Sequence, residues 1–127
     1  MNTLLLISGA LAAFMVVGHS TIGRKQFFLP MLAAEFDPTS KRIMAFVWHM
    51  STATLILAAA ALAYAAFVPG DGAVRNALAV YVAAQFLCYG VVHLLLVTTS
   101  GLPGAVYKQF QWSLFLAVGI TALAGAQ

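Results

Sequence analysis

The stretch IMAFVWHMSTATLILAAAALAYAAFV, running from Ile43 to Val68, decides the fold. It contains no Asp, Glu, Lys or Arg, and it exceeds the roughly 20 helical residues needed to cross a hydrocarbon layer. Working outward, three further uncharged runs extend from Met1 to Gly23, from Asn76 to Tyr107 and from Gln109 to Gln127. The run from Asn76 is interrupted near its end by Thr98, Thr99, Ser100, Gly101, Pro103 and Gly104, so its helix is expected to stop near Thr98. Across the 127 residues 63% are hydrophobic and 7% are charged, whereas a soluble domain has about a quarter of its residues charged. A water-soluble fold of this size could not hide that much apolar surface.

These runs predict an all-α, polytopic membrane protein: a single domain built as an antiparallel four-transmembrane-helix bundle. The helices are expected over about 3–22, 43–68, 77–98 and 108–126, with an interfacial loop at 23–42. The first run has no Lys or Arg ahead of its apolar stretch, which a secretory signal normally carries, so it reads as a retained helix. Four crossings put both termini on one face. The opposite face receives Arg24, Lys25, Lys41, Arg42 and Lys108, against Arg75 alone on the terminal face. Basic residues near helix ends stay in the cytoplasm, so the expected location is a cell membrane, such as a bacterial inner membrane, with both termini outside. The basic side chains serve topology there, and nucleic acid is not an expected partner.

The segment Gln26-Phe27-Phe28-Leu29-Pro30-Met31-Leu32 is too apolar for free solvent and is expected at the membrane interface or folded over the bundle mouth. Asp37-Pro38 reads as a helix start, with Asp37 capping the exposed N–H groups and Pro38 in the first position. Val68-Pro69-Gly70-Asp71-Gly72 reads as a tight external turn. A weak repeat is also visible. Val16-Val17-Gly18-His19 resembles Val91-Val92-His93, Phe46-Val47-Trp48 resembles Phe110-Gln111-Trp112, and Arg24-Lys25-Gln26-Phe27 echoes Tyr107-Lys108-Gln109-Phe110. A duplicated two-helix hairpin would produce pseudo-twofold symmetry about the membrane normal.

Topology and spacing place His19, His49 and His93 at similar depth near the basic face, roughly 5 to 9 Å inside their helix ends at 1.5 Å per residue, with Gln111 and Trp112 beside them. Three imidazoles with Gln111 could bind zinc, iron or copper. Two, His19 and His93, could instead ligate haem b axially, with Gly18 and Gly90 leaving room for the macrocycle. The plainer alternative is that interfacial histidines only bond to neighbouring helices or lipid headgroups. Polar groups at membrane depth are costly, however, and tend to mark function. Tyr81, Gln85, Tyr89 and His93 recur every four residues and form a polar stripe, and Ser8, Ala12, Met15 and His19 give the first helix a complementary small face that could pack against the stripe or leave a cavity. That stripe could line a path or pocket, or could hold helices together by hydrogen bonds. Trp48, Trp112 and Tyr107 are at the depth of an aromatic belt. Ala117, Thr121 and Gly125 form a small face on the last helix.

No Asp or Glu lies in any apolar run, which argues against proton coupling through a buried carboxylate. The single Cys88 excludes an internal disulfide or a thiolate cluster. The leading expectation is a histidine-lined site at the cytoplasmic leaflet that binds a metal ion or haem, with redox chemistry on a lipid-soluble substrate such as a quinone. In it Gln111 and Tyr89 would orient ligands or substrate, while Arg24 and Lys25 would attract anionic groups. Two alternatives are a small oligomeric channel or transporter using the polar stripe, and a non-catalytic accessory subunit of a larger membrane complex.

Overall fold

The computed structural model describes residues 1–68 and 72–127. Every regular element among them is helical. Helix α1 (Thr3–Gly18) runs on into a π-helical segment (His19–Phe28) and then α2 (Leu29–Ala33). After a short link come α3 (Pro38–Phe67), α4 (Gly72–Thr99), the single turn α5 (Ala105–Lys108) and α6 (Gln111–Gly125). Three helices, Thr3–Ala33, Pro38–Phe67 and Gly72–Thr99, are long and apolar enough to cross a membrane. In each of them only 28% of the most apolar stretch is buried inside the protein. The outward remainder is surface that lipid tolerates and water does not. Helix α6 has 15 residues, about 22 Å, which is shorter than a hydrocarbon core of about 30 Å.

The segment 23–42, expected as a loop, is helical except for residues 34–37. Pro30 explains how the helix survives. In an α-helix its ring would clash with the carbonyl four residues back, but here the Leu29 N–H reaches the Arg24 carbonyl, five residues back. The wider turn carries the chain past the proline. Helix α3 starts where Asp37-Pro38 predicts: the Ser40 N–H donates to Asp37 Oδ2 at 2.7 Å, and Pro38 occupies the first turn. Helix α4 ends as its polar tail predicts. Thr98, Thr99 and Ser100 fold their hydroxyls back onto carbonyls of the last turn, and Gly101 then takes φ +68°, a left-handed conformation that suits glycine. The last helix begins at Gln111 rather than near 108, because Ala105–Lys108 forms a separate turn tied down by Trp112, whose Nε1 donates to the Val106 carbonyl at 3.0 Å. The expected turn at 68–72 falls largely on residues 69–71, outside the described residues.

One end of the molecule is closely packed. Asn2 joins three helices there. Its Oδ1 accepts from the Leu5 N–H at 3.1 Å, its own N–H donates to the Ala66 carbonyl at 2.9 Å, and its Nδ2 donates to the Gly125 carbonyl at 2.7 Å. The core around Leu5, Ala12, Leu62, Ala79, Phe86, Val118 and Ala122 follows. Helix α1 contacts both α3 and α6, and α6 runs along α4. Ser8, fully buried, donates to the Val118 carbonyl at 2.9 Å and bonds α1 to α6. The buried face of α6 is Val118, Gly119, Ala122 and Gly125, rotated slightly from the expected Ala117-Thr121-Gly125 line. Thr121 instead bonds within its own helix, to the Ala117 carbonyl. The buried residues of α3 begin only at Leu55. In its first half only Trp48 is closely packed, on His19 and Phe28, and the helices part there.

Candidate functional site

The open end holds a cavity of about 710 Å³. Its walls come from α1 and the π-helical segment (Phe14, Met15, Gly18, His19, Gln26, Phe27), α3 (Val47, Trp48, Ser51, Leu55), α4 (Tyr89, Val92, His93) and the α5–α6 region (Lys108 to Gln111, Leu114, Phe115). Aliphatic and aromatic side chains dominate, with a few polar groups among them and no carboxylate. Mostly apolar walls carrying a few placed polar groups are the usual character of a small-molecule site.

His19 is held most tightly. Its ring stacks on Trp48 with centroids 3.9 Å apart and planes 19° apart. Its Nε2 lies 3.4 Å from the Trp48 carbonyl oxygen, which also accepts from Thr52 Oγ1 at 3.0 Å. Phe28 stacks on Trp48, with ring centroids 5.1 Å apart. His93 lines the cavity from α4 and meets Phe115 edge-on at 6.2 Å.

His49 does not join them. It is exposed, sits edge-on to Phe28 at 5.5 Å, and is not part of the cavity wall. The reason is helical geometry: consecutive residues differ by about 100° around the axis, and Trp48 takes the inward position. Among the described residues no three His, Cys, Asp or Glu side chains gather as a metal-binding group. The glycines expected to make room for a macrocycle also differ. A side chain at Gly18 would meet nothing within 4 Å, but a Cβ at Gly90 would lie 2.6 Å from Leu116 Cδ2. Gly90 serves close packing of α4 on α6.

The polar stripe on α4 divides. Tyr81 is 67% exposed on the outer surface, while Tyr89 and His93 line the cavity. Gln85 lies between them, half-buried, and donates from Nε2 to the Tyr89 hydroxyl at 3.2 Å. Gln111 lines the cavity with its Oε1 buried and unpartnered, a condition that costs about 1–3 kcal/mol. Arg24 and Lys25 are exposed and lie outside the wall, and half-buried Trp112 also lies outside it. Lys108, Gln26, Gln109, Phe27, Phe110 and Phe115 are cavity residues that the sequence reading did not single out as a site. A signal existed: the echoing segments Arg24-Lys25-Gln26-Phe27 and Tyr107-Lys108-Gln109-Phe110 both contribute to the wall. No family model, no curated protein and no solved structure matches this chain, so its function is read from the cavity.

Proposed function

We propose that this chain is a cell-membrane protein of four crossings, with α6 as the fourth, whose cavity binds a lipid-soluble, ring-bearing molecule of the quinone class. The cavity itself carries the reading. It is a void of about 710 Å³ with aromatic and aliphatic walls in an otherwise close-packed apolar bundle. Phe14, Phe27, Trp48, Phe110 and Phe115 offer ring surfaces, and His19, Tyr89, His93 and Gln111 offer hydrogen-bonding groups to a polar ring substituent. The site lies at the end carrying Arg24, Lys25, Lys41, Arg42 and Lys108, which orients it toward the cytoplasm.

The test is titration of the purified full chain with 2-methyl-1,4-naphthoquinone while tryptophan fluorescence is followed. Saturable quenching that disappears in Trp48→Phe is expected, because Trp48 is in the wall and Trp112 is not. Failure of this quinone and its hydroquinone to bind would reject the reading. A second reading, haem b held by two imidazoles, rests on His19 and His93 sharing one cavity. The absorption spectrum of the purified protein decides it, since a haem band lost in both His19→Ala and His93→Ala would favour haem over the quinone. Orientation is tested separately by a reporter active only in the cytoplasm, fused after Gln127. It should be silent.

A further inference from the structure

His19 is the cavity side chain whose hydrogen-bonding roles the fold assigns most completely. Stacking on Trp48 holds the ring plane, and Nε2 faces the Trp48 carbonyl oxygen at 3.4 Å. A carbonyl oxygen only accepts, so Nε2 carries the hydrogen. In a neutral imidazole the other nitrogen, Nδ1, then bears a lone pair and only accepts. Among the described residues no hydrogen bond engages Nδ1, and His19 belongs to the cavity wall.

Resting on the quinone-class reading above, we propose that His19 Nδ1 accepts a hydrogen bond from a ring hydroxyl of the ligand. The cavity therefore selects the reduced, hydroxyl-bearing form over the dicarbonyl form and over a methylated ether. A hydroxyl facing Nδ1 satisfies both partners. A carbonyl or ether oxygen there sets lone pair against lone pair and leaves a half-buried acceptor unpaired, which is the costlier arrangement. The donor-only groups of the wall are the Trp48 indole N–H and the Lys108 ammonium, and Lys108, the charged one, does not reverse the preference. It is exposed, so its ammonium keeps its hydration whichever form binds.

The experiment compares three probes on the purified full chain by tryptophan quenching: 2-methyl-1,4-naphthohydroquinone under anaerobic reductant, its quinone, and its dimethyl ether. In the wild-type chain the hydroquinone should bind about tenfold more tightly than the ether, equivalent to about 1.4 kcal/mol, and more tightly than the quinone. Two substitutions separate the ring nitrogens. His19→Asn puts an acceptor oxygen near the place of Nδ1 and gives up the bond to Trp48, so it should keep most of the preference. His19→Gln keeps a donor near the place of Nε2 and gives up the Nδ1 acceptor, so the preference should fall to about one. The opposite ranking would show that His19 acts only through Trp48 and would overturn the proposal. Equal binding of all three probes by the wild-type chain would also overturn it while leaving the cavity reading in place, whereas no binding of any probe would reject both. If neither variant folds, nitrogen-15 spectra of the wild-type chain decide the matter. A His19 ring protonated on Nε2, with its Nδ1 resonance moving on hydroquinone addition, supports the proposal; protonation on Nδ1 overturns it.

Discussion

At the scale of single residues, the helical glycines sort by what a methyl group would meet. At Gly119 a Cβ would sit 2.7 Å from Leu87 Cγ and 3.0 Å from the Leu87 backbone nitrogen. The side chain could shift, but the backbone could not do so without moving α4 off α6. Overpacking of this kind costs about 1–3 kcal/mol, and Gly119→Ala is expected to lower the stability of the purified protein by that amount. Gly18 borders the cavity, where an added Cβ finds open space. Gly18→Ala should leave stability within about 0.5 kcal/mol of wild type. Denaturant titration of both variants in the same detergent checks the contrast, and equal losses would mean that the cavity is filled in solution. Trp48 and His49 show the other residue-scale lesson. They are adjacent in sequence, yet one lines the cavity and the other is exposed.

At the scale of elements, the caps and interhelical bonds are local devices with separable signatures. The Asp37 carboxylate accepts from the N–H and hydroxyl of Ser40, which holds its carboxyl below the usual carboxylate range. A carboxylate whose folded pKa is depressed stabilises the fold above its unfolded pKa and loses that contribution as pH falls through the folded one. Asp37→Ala should therefore melt below wild type at neutral pH. The gap should close as pH is taken below the ordinary Asp value of about 3.9. A gap independent of pH would assign the effect to Pro38 and the link instead of the carboxylate. Ser8 tests a bond between elements. Its hydroxyl is fully buried and reaches the Val118 carbonyl, and interhelical bonds of this kind inside membranes average about 0.6 kcal/mol. Ser8→Ala should cost about that much, measured by unfolding in detergent, while leaving the tryptophan spectrum unchanged because the cavity is at the other end.

At the scale of the whole molecule, packing is uneven along the helices, and the cavity is a consequence. The core is confined to residues near 5–15, 55–66, 79–86 and 118–126, where alanine and glycine let helices approach closely. Toward the other end Trp48, Phe110 and Phe115 are too bulky for the same spacing, and the helices leave an open cleft between them. A large side chain at Gly18 should fill this cleft without disturbing the core. Gly18→Phe is expected to melt near wild type and to lose quenching by 2-methyl-1,4-naphthoquinone and by its hydroquinone alike. A destabilised Gly18→Phe that still binds would place the ligand elsewhere.

The all-helical class, the apolar long helices, the Asp37-Pro38 start and the polar stop after Thr98 were legible in the residues, because each depends on composition or on partners within a few positions. The continuation of the first helix through 23–33 was not legible, since it depends on a π-helical turn just before Pro30 that no local propensity announces. Position along the helices could also be read from spacing, and it placed the three histidines toward one end. Rotation about each helix axis could not be read, because it is set by which side chains interlock between helices distant in sequence. That rotation was decided by contacts such as Gly119 against Leu87 and Gly90 against Leu116 and by the stack of His19 on Trp48. Only the tertiary structure therefore turned His19 and His93 to the cavity, left His49 outside it and brought Gln26 and Lys108 to its wall.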